Sequence, residues 1–130
     1  MIKRTVTYED YLGNKQTDDL YFHMKKSELV DLEYSVEGGW GEKIQRIIRT
    51  KDAKEVAKVF KEIFEKSFGT ISDDGKRFIK DEEKTKAFME TEAYDTLFME
   101  LLKNPEEFAK FCEGILPKDL VDEAKKENGK

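Results

Sequence analysis

The stretch from residue 2 to residue 24, IKRTVTYEDYLGNKQTDDLYFHM, restricts the fold more than any other. Apolar residues alternate with polar ones around Val6 and Tyr8, and again around Leu20, Phe22 and Met24. Gly13 and Asn14 fall between the two runs, where a tight turn needs residues that tolerate positive φ. The segment reads as a β-hairpin with one buried face. A two-stranded hairpin is marginal in water by itself, so that face must pack on the helices C-terminal to it or join a sheet from another subunit.

From Ser27 the apolar period becomes helical. Ser27 is the expected N-cap of a short helix carrying Leu29, Leu32 and Val36, which the glycines of EGGWG (37 to 41) interrupt. A second short helix carries Ile44, Ile47 and Ile48. Asp52, with Glu55 three residues on, opens a third that bears Val56, Phe60, Ile63 and Phe64 and ends near Gly69. Asp73-Asp74-Gly75 is a turn, Phe78 and Ile79 return an apolar edge to the core, and Asp81 or a neighbour caps the helix with Phe88 and Met89.

In TEAYDTLFMELL the residues Tyr94, Leu97, Phe98, Leu101 and Leu102 form one buried stripe. Asn104, Pro105, Glu106 and Glu107 make a clear helix start, with the carboxylates placed against the helix dipole. Phe108, Phe111 and Cys112 come next on its apolar face, and Gly114-Ile115 suggests a glycine C-cap. Pro117 begins a last helix through Leu120 and Val121. The expected fold is mainly α with an N-terminal β-hairpin, an α+β domain over 1–130. Its parts are a hairpin over 2–24, about six short helices over 27–127, and a frayed tail at 128–130.

Charge excludes several functions. The 24 basic and 29 acidic residues are interleaved, so the net charge of −5 gives no steering field toward nucleic acid or anionic membrane. The basic-aromatic cluster Lys76, Arg77, Phe78 and Lys80 is flanked by acidic residues on both sides. No stretch approaches the ~20 apolar residues of a membrane span, and charge within two residues of Met1 argues against a signal peptide. The lone cysteine, Cys112, cannot form an internal disulfide, and the expected setting is the cytosol.

Catalytic and metal signals are weak. His23 is the only histidine, so no multi-histidine metal site exists within one chain. Its ordinary role beside Phe22 and Met24 is a strand-face residue, and Cys112 reads as a small buried hydrophobe. SDDG at 72 to 75 lacks the alternating ligands of a calcium loop and the glycines and Lys-Ser/Thr ending of a phosphate loop. Neither a metal nor a cofactor is expected, nor an enzymatic activity. Nine phenylalanines, five tyrosines and one tryptophan exceed what so small a core is expected to hide, which points to an interface. Trp40 in its glycine-rich loop has two readings, an interface residue or a plug under the loop. Phe78, set between charges, is the second candidate partner contact.

The chain resembles the tail assembly chaperones of long non-contractile-tailed phages and their prophages. The resemblance runs nearly end to end, through TVTYEDYLGNKQTDDLYFHMKKSEL, GGWGEKIQRII, VFKEIFEKSFG, DGKRFIKDEE and TEAYDTLFMELLKNPEEFAKFCEGILP. It implies a non-enzymatic protein in the host cytoplasm during phage assembly. Such a protein binds the tape measure protein, keeps it soluble, helps tail tube subunits assemble, and is absent from the mature virion. The major tail tube protein and a longer, frameshifted form of the chain are further implied partners; Lys125-Lys126 is where an A-rich slippery stretch would fit. A homo-oligomer is expected, with no nucleic acid and no membrane among its partners. The alternative is a small phage-encoded nucleic-acid-binding regulator, whose affinity would fall steeply with salt.

Overall fold

The structure is a computed structural model of the chain, and it describes residues 1–35, 37–40, 42, 43, 46, 49 and 52–115. Its elements run β1 (Ile2–Glu9), β2 (Lys15–Phe22), α1 (Lys26–Ser35), α2 (Ala53–Ser67), β3 (Phe68–Ile71), β4 (Phe78–Ile79), α3 (Glu82–Met89), α4 (Glu92–Lys103) and α5 (Pro105–Ile115). Between α1 and α2, Trp40, Glu42, Lys43, Arg46 and Arg49 are helical. The stripe of Ile44, Ile47 and Ile48, the end of the first helix at Val36 and the last helix after Pro117 lie outside the described residues.

The expected hairpin forms with β1 and β2 antiparallel, Ile2 opposite Phe22 and Glu9 opposite Lys15. Gly13 takes φ +85°, and Asp10 stitches the turn: its Oδ1 accepts from the Leu12 and Asn14 amides at 3.0 and 2.9 Å. The Gln16 side-chain amide, donating to the other carboxylate oxygen at 2.9 Å, and then these backbone donors hold the Asp10 carboxyl below its usual range. Alternation sends Val6, Leu20 and Phe22 inward, while Thr5, Thr7, Thr17 and Asp19 face solvent, where Thr5 donates to Asp19 at 2.7 Å.

A second hairpin lies within the stretch expected to be helical. β3 pairs antiparallel with β2 through Tyr21–Gly69 and Phe22–Phe68, and β4 returns on β3 through Thr70–Ile79 and Ile71–Phe78. The sheet therefore has four strands in the order β1-β2-β3-β4. The segment SDDG is the loop of this hairpin. Gly75 adopts φ +74°, Asp74 Oδ1 accepts from the Ser72 hydroxyl at 2.6 Å, and Ser72 Oγ accepts from the Arg77 amide at 3.0 Å. Gly69 is required by close approach: a Cβ there would sit 2.5 Å from Phe78 Cε2 and 2.8 Å from the Ile79 carbonyl oxygen.

The helices cover one face of the sheet. α2 contributes Val59, Phe60, Ile63 and Phe64, α3 Phe88, α4 Ala93, Leu97 and Leu101, and α5 Phe108, Phe111 and Ile115, all buried. Each of these side chains except that of Ala93 contributes roughly 1.5–3 kcal/mol relative to exposure. Phe22 is at the centre, meeting Phe64, Phe68, Phe88 and Phe111 edge-on. Caps at Asp52, Asp81 and Asn104 form as the sequence indicates.

Two expected caps do not form. The helix α1 starts one residue before Ser27, because Glu28 reaches back to accept from the Lys25 amide at 3.0 Å. Gly114 lies inside α5 rather than beyond it, and its missing side chain admits Ile2: a Cβ would approach Ile2 Cδ1 to 2.9 Å. This contact seats the start of β1 on the end of α5.

Candidate interaction surface

Among the described residues no group of three or more His, Cys, Asp or Glu side chains could hold a metal ion. His23 lies edge-on to Phe78 at 5.8 Å, and burial lowers its pKa. Cys112 is half-buried on α5, packed against the core. A groove of about 560 Å³ is lined by charged side chains of both signs, among them Lys61, Lys66, Lys86, Glu65, Glu82 and Glu90. That lining lacks the apolar body with a few convergent polar groups that marks a small-molecule site.

The two candidate contact residues differ in burial, Trp40 buried and Phe78 half-buried. Trp40 is 7% exposed, part of the core, and its Nε1–H donates to Glu62 Oε1 at 3.0 Å. Phe78 is half-buried, its ring set over Gly69, beside His23 and 5.9 Å from the Lys80 ammonium. The ring of Phe78 is thus a packing element of the second hairpin.

Apolar side chains reach solvent elsewhere. Tyr11 and Leu12 stand at the tip of the first hairpin, where the Glu92 carboxylate beside the Tyr11 hydroxyl raises its pKa. On α1, Val30 is 53% and Tyr34 86% exposed. These two are one helical turn apart and share a face. The opposite side of α1 docks through Leu29 and Leu32, and through an ion pair between Glu28 and Lys80 at 2.5 Å. Burial raises the Glu28 pKa, but the Lys80 ammonium and the Lys25 amide outweigh it and hold the carboxyl below its usual range. Burial in turn pulls the Lys80 pKa down.

Helix α1 therefore has apolar residues on two sides, one docked and one bare. The exposed acids Asp31 and Glu33 of the same helix flank this side. The apolar period of the sequence assigns only the Leu29–Leu32 stripe and passes over Val30 and Tyr34. The signal for them is the pair of apolar residues left over once that stripe is drawn. A shallow groove of about 320 Å³, lined by Met24, Asp31, Leu32, Glu65 and Lys66 among others, runs alongside α1. A second, between α2 and α4, is walled by Ala57, Tyr94 and Phe98.

No helix among the described residues is long and apolar enough to cross a membrane. A family model described as phage tail assembly chaperone matches residues 1–130. No curated protein and no solved structure matches the chain significantly.

Proposed function

Since the chain belongs to the phage tail assembly chaperones, we propose that it binds the tape measure protein, keeps it soluble while tube subunits assemble round it, and leaves before the virion is complete. The role is non-enzymatic. The observation that carries the reading is the bare face of α1, where Val30 and Tyr34 stand one turn apart with acids around them. A long amphipathic helix presents apolar residues at the same spacing, and helix-on-helix recognition reads them in register. Basic residues flanking the client's apolar stripe would meet Asp31 and Glu33, so charge selects which face of the client docks.

Tyrosine suits such a surface, because its ring gives contact area while its hydroxyl stays hydrated before the client arrives. The mixed charge of the surface gives a nucleic-acid reading no comparable foothold. The test is co-expression with the tape measure protein of the same gene cluster, with its soluble fraction measured and the mixture run by size exclusion. Rescue with co-elution is expected. Val30→Ser with Tyr34→Ser should abolish rescue while leaving the thermal melt of the chaperone unchanged. Rescue that persists in this double variant would refute the assignment to α1, and absence of any complex with the parent chain would refute the function.

A further inference from the structure

From the phase of its hydrogen bonds and the order of its charges, we infer that β1 pairs antiparallel with β1 of a second copy of this chain, about a two-fold axis through Val6. The pairing extends the sheet of each protomer into one continuous sheet.

The phase is fixed at the turn. Asp10 donates its amide to the Asn14 carbonyl at 2.8 Å, in register with the ladder. Bonded pairs recur at every second residue of an antiparallel ladder, so Tyr8, Val6, Arg4 and Ile2 turn their backbone groups to β2. The other face of the ladder confirms it, since the odd-numbered His23 donates to Ser67 across the β2–β3 side. The amides and carbonyls of Lys3, Thr5, Thr7 and Glu9 therefore point away from the sheet. Among the described residues no backbone hydrogen bond outside the sheet involves them.

Several devices that usually block pairing are missing from this edge among the described residues, and the exposed charges it does carry, Lys3 and Glu9, are of opposite sign. β1 is eight residues long, its register with β2 is unbroken by a bulge, and it contains no proline. Its helical covering lies on the inward side, where Arg4 reaches Glu107 and Ile2 meets Gly114.

A two-fold partner must present the same strand, so only a self-complementary order of side chains can pair. With the axis through Val6, Lys3 stands opposite Glu9 and Thr5 opposite Thr7, each twice by symmetry. Every one of these residues has its backbone groups turned outward, so the bonded pairs of the new ladder coincide with them. Moving the axis to Thr5 sets Lys3 against Thr7, and moving it to Thr7 leaves Lys3 beyond the strand of its partner. Only the Val6 axis pairs both charges. They are available: Lys3 meets Asp19 at 3.6 Å with both side chains about half exposed, and Glu9 makes no ion pair among the described residues. An exposed pair of that kind contributes little and is readily exchanged.

The surface is separate from the bare face of α1, so this inference stands whether or not the client docks there. Sedimentation velocity of the purified full chain over a concentration series should show a reversible dimer. Lys3→Glu and Glu9→Lys each set like charges opposite each other twice, and each should weaken dimerisation at least about tenfold. The double reversal restores opposite charges and should return the dimer. Far-UV melts of all three variants should stay cooperative and close to the parent, since the Lys3–Asp19 pair that two of them lose is exposed. A parent chain that stays monomeric, single reversals that leave the dimer intact, or a double reversal that fails to restore it would each overturn the inference.

Discussion

Replacing Phe22 by leucine and by alanine separates what its volume contributes from what its ring contributes. The side chain is 0% exposed, and four rings meet it edge-on, with centroids at 5.0 Å (Phe111), 5.6 Å (Phe64), 5.8 Å (Phe68) and 6.0 Å (Phe88). Alanine empties a site walled by the sheet and three helices, and should cost about 3–5 kcal/mol. Leucine keeps most of the volume, so filling alone predicts a loss under about 1.5 kcal/mol. Edge-to-face pairs are worth about 0.5–1.5 kcal/mol each beyond area. The four share one ring and do not add fully, so the expected cost of Phe22→Leu is about 2–3 kcal/mol.

Urea unfolding monitored through Trp40, the sole tryptophan and a buried one, gives both values against the parent. The slope with denaturant must stay constant for the comparison to hold. A leucine variant within about 0.5 kcal/mol of the parent would show that the ring edges contribute nothing. A leucine variant as unstable as alanine would show that the site cannot use volume without the ring, and would equally refute the reasoning.

Gly69→Ala should destabilise the chain by about 1–3 kcal/mol in the same assay, because the Ile79 carbonyl it would strike belongs to the adjoining strand and cannot step aside. Gly114→Ala should cost less, within about 1 kcal/mol of neutral, since its closest contact is the Cδ1 end of Ile2, with the Ile2 Cβ having to give only slightly, and alanine favours the helix; equal effects at the two glycines would refute the distinction. Glu28→Gln should lower stability by about 1 kcal/mol at neutral pH, the scale of a partly exposed pair. Because the folded carboxyl titrates below its usual 4.5, the stabilisation is present above that pH and lost as pH falls through the folded value. The gap between parent and variant melting temperatures should close in acid, and a pH-independent gap would exclude the ion pair as its source.

The first hairpin was legible because eight-residue strands with a period of two leave little choice once one face is buried. The caps at Asp52, Asp81 and Asn104 were legible because they are satisfied locally, by amides two or three residues on. The second hairpin was not. Phe68 continues the spacing of Phe60 and Phe64, and two residues of β4 are too few to show a period, so only pairing with Tyr21 and Phe22 ends the helix at Ser67. The same holds for Gly114, whose reason is the distant Ile2 rather than a helix end. A glycine beside an apolar residue has the same local appearance in both roles.

The aromatic count overstated the surplus, because the core takes up nearly all of these rings. All nine phenylalanines are buried or half-buried, absorbed by edge contacts such as Phe60–Phe98 and Phe64–Tyr94 and by the stacked pair Phe68–Phe88. Trp40, the residue that its glycine-rich loop set apart, joins them and satisfies its indole N–H on Glu62. The aromatics that remain well exposed are Tyr11 and Tyr34. This division comes from solvation. Phenylalanine gains only by burial, so a core of this size takes it first, whereas tyrosine keeps its hydroxyl hydrated and tolerates waiting at the surface. If the proposed client docks on α1, a tyrosine left over from a helix stripe is therefore the ring to test first, ahead of the largest ring in the loops.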